Sequence, residues 1–204
     1  MTTNILTREK TMSEGASMFA LLTLIFLTTS SSIAASGWIT KGLDLPFWGA
    51  FGGLLLGILL ARSRVRGWIA HVGMSLLGIP VSIYLGMLLT PGNLFPAERY
   101  QIITSSWRIW FEDYARNQPS EQIFPFVMQL VFLLWLFAYF AAWFIYRRRQ
   151  VWGAIVFPGL ALVVNLFQTG QPQTALYLGI FVFAVFLLLI RFNLLSLERV
   201  WRQR

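Results

Sequence analysis

The chain alternates between long apolar runs and short polar or basic connections. Each apolar run approaches the ~20 residues with which a helix crosses the hydrocarbon layer of a membrane. The pattern predicts six such spans, at about residues 18–35, 46–61, 68–90, 125–146, 151–167 and 174–190. We therefore expect an all-α fold, a polytopic membrane helix bundle over residues 18–191, flanked by segments 1–17 and 192–204.

The composition favours a membrane protein over every soluble class. Of the 204 residues, 57% are hydrophobic and 12% are charged, whereas soluble domains carry about 25% charged residues. This balance excludes a soluble enzyme, a disordered chain and a nucleic-acid-binding protein. The chain contains no cysteine, which excludes disulfides, thiolate metal sites and a cysteine nucleophile.

Lysine and arginine are distributed unequally between the two sides of the predicted bundle. With the N-terminus inside, 12 of the 16 basic residues lie inside, namely Arg8, Lys10, Arg62, Arg64, Arg66, Arg147, Arg148, Arg149, Arg191, Arg199, Arg202 and Arg204. The outside then holds Lys41, Arg99, Arg108 and Arg116 with five of the eight acidic residues. By the positive-inside rule, this split predicts a membrane protein with both termini cytoplasmic.

The first span also has features of a signal peptide, because basic residues precede it and Ala34-Ala35-Ser36 ends it. Its apolar run is long, and no strong small-x-small cleavage site precedes Gly37-Trp38. These features favour a retained helix over a cleaved peptide.

The loop of residues 92–124, predicted to lie outside, contains an amphipathic pattern from Ala97 to Asn117. Trp107, Trp110 and Tyr114 share one face with other apolar residues. An aromatic stripe opposite charged residues is typical of a helix that lies in the headgroup layer. We therefore predict an interfacial helix with membrane lipid as its partner. The alternative is an aromatic surface that recognises a sugar, a lipid or a protein.

Small residues recur at every fourth position of two spans. The second span has Gly49, Gly53 and Gly57, and the third has Gly78, Ser82 and Gly86. Such stripes let helix backbones approach closely. We expect spans two and three to pack against each other, with a homodimer face as the alternative. Pro80 and Pro158 lie inside spans, where kinks are expected.

Polar residues within the spans are few and include no Asp, Glu or Lys. The single histidine, His71, lies about one turn into the third span. Imidazole is able to ligate a pigment or a haem, but a hydrogen bond to a neighbouring side chain is the favoured interpretation. Gln129, Asn165 and Gln168 are expected to form interhelical hydrogen bonds. We predict no metal site, no cofactor and no catalytic residues.

The second half of the chain carries a further pattern. A very aromatic span ends at Arg147-Arg148-Arg149, a short span contains Pro158-Gly159, and the last span continues into a stretch from Arg191 to Arg202 rich in Leu, Glu, Arg and Trp. Over residues 124–204 the chain resembles the N-terminal membrane portion of bacterial membrane-anchored transglutaminase-like proteins. The resemblance implies a location in a bacterial cytoplasmic (inner) membrane, and it implies one more helix followed by an extracytoplasmic papain-like domain with a Cys-His-Asp triad.

This chain has no cysteine, so no catalytic residue of that family transfers to it. Its ending at Trp201-Arg202 favours a piece of a longer protein. The first functional hypothesis is therefore a non-catalytic membrane module that anchors or scaffolds a partner, either a downstream domain in cis or another membrane subunit. The alternative is an accessory transmembrane subunit of a larger complex, respiratory or photosynthetic. A small transporter ranks third, because the spans lack charge.

Overall fold

The computed structural model describes residues 2–169 and 173–202, and within these ranges the chain forms seven helices and no strand. The helices are α1 (Thr2–Ala34), α2 (Leu45–Arg62), α3 (Gly67–Met87), α4 (Pro96–Ala115), α5 (Ile123–Trp143), α6 (Trp152–Thr169) and α7 (Gln173–Arg202). A π-helical turn, Phe144–Arg148, continues α5. The predicted all-α helix bundle is confirmed.

Six helical segments are long and apolar enough to cross a membrane. They are Gly15–Ala34, Leu45–Arg62, Gly67–Met87, Ile123–Arg148, Trp152–Thr169 and Ala175–Glu198. Each corresponds to one span of the hydropathy pattern, so the chain has the architecture of a multi-pass membrane protein. Helices α1 and α7 extend beyond their apolar parts, from Thr2 and to Arg202 respectively. The flanking segments are thus helical continuations of the first and last spans within the described residues.

Helix α5 is the centre of the bundle and has its most extensive contact with α2. It also packs against α3, α4 and α6. Trp135 and Tyr139 are the largest fully buried side chains, and both belong to α5. The indole of Trp135 donates a hydrogen bond to the carbonyl oxygen of Met74 at 3.0 Å, which satisfies its polar atom inside the bundle.

The glycines of α2 lie directly against the backbone of α5. A Cβ added at Gly49 would lie 2.9 Å from the carbonyl oxygen of Val131. At Gly53 it would collide with the carbonyl oxygen of Trp135, and at Gly57 it would lie 3.0 Å from that of Tyr139. Only glycine permits this separation of the two helices.

The stripe of α3 also faces α5. A Cβ at Gly78 would lie 2.9 Å from the rings of Phe132 and Trp135, and one at Gly86 would lie 2.9 Å from Met128. Ser82, between them, is buried and donates to the carbonyl oxygen of Gly78 at 2.8 Å. The prediction that spans two and three pack against each other through these stripes was therefore wrong. Both stripes pack on α5: the glycines of α2 meet mainly its backbone, and those of α3 meet its side chains.

The two prolines lie inside helices that continue past them. Pro80 belongs to α3 and Pro158 to α6, and neither helix ends at its proline. A proline interior to a membrane helix is tolerated where neighbouring groups satisfy the freed carbonyl. The kinks expected at these positions stay predictions.

Contacts between distant segments define one end of the bundle, which we call the arginine end. The hydroxyl of Tyr146 donates to the carbonyl oxygen of Gly15 at 2.9 Å, and Arg191 Nε donates to Ser17 Oγ at 3.0 Å. Arg147 bonds to the carbonyl oxygen of Val65 in the α2–α3 connection. The basic connections thus meet at one end, and α4 lies at the opposite end.

Candidate functional site

The arginine end is organised around the terminus of α5. Arg149 adopts a left-handed backbone conformation with φ of 54°, and the amide of Gln150 donates to the carbonyl oxygen of Phe144 at 3.0 Å. This arrangement closes the helix in the way that an αL residue after a helix commonly does. The closure follows a π-helical turn and places Arg147 beside the end of α2.

Arg147 joins this terminus to the α2–α3 connection. Its guanidinium donates to the carbonyl oxygens of Ser63 at 3.2 Å and Val65 at 2.8 Å. The same guanidinium lies over the ring of Trp143, with Cζ 4.5 Å from the ring centroid. A cation at the C-terminus of a helix is favoured by the helix dipole. Sequence reasoning used Arg147 for membrane topology and for the family resemblance, because nothing in three consecutive arginines marks one of them as a link between segments.

The other arginines at this end leave their charge accessible. Arg62 lies over the ring of Tyr146 at 5.3 Å, and the side chains of Arg64, Arg66 and Arg148 are exposed. Clustered basic side chains at a membrane surface attract anionic lipid headgroups, each by ~1 kcal/mol. This end can therefore hold the bundle at an anionic membrane surface.

His71 is engaged by a neighbouring side chain. Its Nδ1 lies 2.8 Å from the hydroxyl of Tyr139, and its ring meets Trp143 edge-on at 4.8 Å between centroids. The geometry thus agrees with the favoured interpretation, in which His71 forms a hydrogen bond with a neighbouring side chain. Any ligand would have to bind through Nε2. Within the described residues no group of three His, Cys, Asp or Glu side chains could hold a metal.

Asn165 links α6 to α1 inside the bundle. It is fully buried, and its Nδ2 donates to both the carbonyl oxygen and the Oγ of Ser32, at 2.9 and 2.7 Å. The predicted interhelical hydrogen bond is confirmed for Asn165. For Gln129 and Gln168 it was wrong, because both side chains are exposed and have no such partner in the part of the chain that the structure describes.

Helix α4 forms over Pro96–Ala115, close to the predicted range. Proline at its first turn and Glu98, which accepts from the amide of Phe95 at 2.8 Å, fix its start. Ile103 and Ser106 are buried against the bundle. Ser106 Oγ donates to Gln122 Oε1 at 2.7 Å, which ties α4 to the residue before α5.

The three predicted anchor residues of α4 have different environments. Trp107 and Trp110 are half-buried against the bundle, whereas Tyr114 is 74% exposed. The rings contact one another in sequence, with centroids of Trp107 and Trp110 5.6 Å apart and those of Trp110 and Tyr114 5.8 Å apart. The aromatic stripe therefore runs from the bundle surface outward, and its contact with lipid stays a prediction.

Two clefts flank α4. The first, with a volume of about 410 Å³, lies between α3, α4 and α5 and is lined by Ser82, Thr104, Trp107, Met128, Gln129 and Phe132, among others. The second, of about 780 Å³, is bordered by Trp38, Trp110, Glu121, Phe126 and Gln168. The first is almost wholly apolar, while the second contains charged and amide groups.

Helix α7 presents an apolar stripe away from the bundle. Its exposed large apolar residues are Leu176, Ile180, Val182, Phe183, Phe186, Leu187, Ile190, Leu194, Leu197 and Trp201. The opposite face is buried at Phe181, Ala184, Leu188 and Leu195. The exposed face is therefore broad, wider than the two-position seam of a coiled coil.

Searches against protein-family models, curated proteins and solved structures found no match to this chain. The resemblance to transglutaminase-like membrane anchors therefore rests on the sequence pattern alone and stays a hypothesis.

Proposed function

We propose that the chain is a non-catalytic membrane module that anchors and orients a partner, located in a bacterial cytoplasmic membrane with both termini in the cytoplasm. The observation that carries this proposal is the exposed apolar stripe on α7, which continues past Arg191 to Trp201. The partner is a downstream domain in cis, as the resemblance implies, or another membrane subunit.

The part of the α7 stripe that extends beyond the hydrocarbon layer favours a protein partner over lipid. The apolar segment Ala175–Glu198 has 24 residues, which as a helix is about 36 Å long, more than the ~30 Å of a hydrocarbon core. Arg191 contacts Ser17 at the arginine end. Leu194, Leu197 and Trp201 follow Arg191 toward the end that exceeds the hydrocarbon thickness, and apolar residues exposed beyond the hydrocarbon mark an interaction surface.

The core of the bundle suits an anchor. Backbone-to-backbone packing of α2 on α5 leaves little room for the helices to slide, since each glycine contact sits at the lower limit of approach. Helix α7 is joined to this core through α1 and α6, against which it packs, and these contacts set its orientation. This is the mechanical requirement for holding a domain at a fixed angle to the membrane.

Photocrosslinking tests the proposal. A photoreactive amino acid at Leu197 is expected to crosslink a protein partner in the native membrane. The same residue at Leu160, which is exposed on α6 in the middle of the membrane, serves as the matched control and is expected to capture lipid. Protein adducts at neither position, with the chain correctly inserted, would contradict the anchor function.

An accessory subunit of a larger complex is the second candidate. The exposed apolar faces of α3, including Leu76, and of α6 favour it, because partner subunits would cover such faces within the membrane. Protein crosslinks at Leu76 and Leu160 as well as Leu197 would support this function. Crosslinks confined to Leu197 would support the anchor.

A further inference from the structure

The first cleft beside α4 has the chemistry of a lipid site. We infer that it binds one acyl chain of a membrane phospholipid, with the amide of Gln129 donating a hydrogen bond to the ester carbonyl of that chain. The inference concerns a different surface from the α7 stripe and does not depend on the proposed function.

The position of the cleft places it within one leaflet, near the headgroup boundary. Gln129 is six residues into α5 from Ile123, about 9 Å along the helix axis. Ser82 lies five residues before the end of α3. Amphipathic α4 closes the side of the cleft that faces away from the membrane centre, through Thr104 and Trp107. Ile79, at the edge of the cleft, is half exposed toward the surrounding membrane.

Gln129 supplies the evidence that the occupant carries a polar group. Its side chain is exposed in an apolar span and has no hydrogen-bond partner among the described residues. At the edge of the hydrocarbon, such an amide is stabilised by bonding to an acceptor from water or from the occupant of the cleft. The carbonyl of a lipid ester is an acceptor that lies at the depth of the headgroup boundary.

The other walls are mainly apolar and suit an acyl chain. Met128 and Phe132 come from α5, one on each side of Gln129 in the sequence, and Ser82 uses its hydroxyl within its own helix. Thr104 likewise donates its hydroxyl to a carbonyl oxygen of its own helix, while Tyr100 and Trp107 each add an aromatic ring with one polar atom. The volume of about 410 Å³ falls in the range of roughly 300–1,000 Å³ that is common for small-molecule pockets.

Photolabelling in nanodiscs of phosphatidylethanolamine and phosphatidylglycerol tests the site. A trace of phosphatidylcholine with a diazirine in its acyl chain is added, and labelled peptides are mapped by mass spectrometry. We expect labels concentrated at residues 79–83 and 128–132. Thr104→Trp, which fills the cleft from exposed α4, should remove these labels and leave those at Leu160 unchanged. Ile79→Trp, at the edge of the cleft, is a second blocking variant if the first misfolds.

Gln129→Leu tests the hydrogen bond separately. Native mass spectrometry after transfer to detergent should show that this variant retains about threefold to tenfold less phospholipid, the loss expected for one hydrogen bond in a membrane. Gln168→Leu, the same substitution in the second cleft, should not change retention. Labels spread evenly over all exposed helix faces, an unchanged retention in Gln129→Leu, or a retained mass that is not a phospholipid would each overturn the inference.

Discussion

At the scale of single residues, Arg147 is the clearest case of a side chain that connects segments distant in sequence. Its guanidinium bonds to carbonyl groups beyond the end of α2 while it stacks on Trp143 in its own helix. Neighbouring Arg148 and Arg149 are exposed. Of the three consecutive arginines, Arg147 therefore has a structural role, whereas Arg148 and Arg149 lie at the surface.

Arg147→Gln is expected to lower the stability of the bundle by about 2 kcal/mol, because charge-assisted hydrogen bonds of ~1.5–3 kcal/mol are lost from a partly exposed site. Thermal unfolding in mild detergent measures the effect. Arg147→Lys should recover less than half of the loss, since an ammonium group cannot bond to several carbonyls as a planar guanidinium does. Arg148→Gln is the matched control, and an equal loss in that variant would contradict the assigned role.

His71→Gln is expected to change thermal stability by less than about 1 kcal/mol. A glutamine amide can take over the hydrogen bond to the hydroxyl of Tyr139, and interhelical hydrogen bonds in membranes average ~0.6 kcal/mol. Detergent melting curves and the visible absorption spectrum of the purified protein are the measurements. A visible band that is present in the parent and lost in the variant would instead identify His71 as a pigment or haem ligand.

The sequence predicted some residue contacts and not others. A lone Asn or His inside an apolar run has to find a hydrogen-bond partner, so interhelical bonds for Asn165 and His71 follow from desolvation alone. The same reasoning failed for Gln129, because the bundle leaves a cleft where its partner would be. The role of Arg147 depends on which carbonyl groups the fold brings near it, and local sequence does not contain that information.

At the scale of helices, the stripes of small residues identified close packing but not the partner helix. A glycine shows that something approaches closely; it does not show which neighbour does. On α5 the glycines of α2 meet the carbonyl oxygens of Val131, Trp135 and Tyr139 and the Cβ of Ala142, and α5 itself contains no glycine. Glycines on one helix admit the backbone of a neighbour that need not carry a stripe of its own, so this pairing becomes visible only in three dimensions.

Gly53→Leu is expected to destabilise the bundle by about 3 kcal/mol or more, because the added side chain meets the backbone of α5 at Trp135 and cannot be relieved by a rotamer change. Gly73→Leu is the matched control, since a Cβ at Gly73 in α3 meets nothing within 4 Å. That variant should melt close to the parent in detergent. Equal melting temperatures for the two variants would contradict the tight α2–α5 contact.

At the scale of the whole molecule, hydropathy and charge reproduce the architecture well. Six apolar runs correspond to six helices, since length and apolar content are the only requirements for crossing a membrane. The contacts of Tyr146 with Gly15 and of Arg191 with Ser17 bring the basic segments to one end of the bundle. The arrangement of the helices in the bundle was not predictable, because a hydropathy pattern shows that a helix face is apolar but not which neighbouring helix covers it.

The orientation of the bundle in the membrane is the last prediction. Short connections rich in arginine stay on the cytoplasmic side during insertion, and the basic segments of this chain share one end of the structure. A fluorescent protein fused after Arg204 should therefore fluoresce, and alkaline phosphatase fused there should be inactive, because its disulfides form only in an oxidising compartment. Fusions near Ser120, in the connection between α4 and α5, should give the opposite pair of results.

An active phosphatase after Arg204 would show that the topology is inverted. The α7 stripe would then face a partner outside the cytoplasm, and the cleft beside α4 would lie in the inner leaflet.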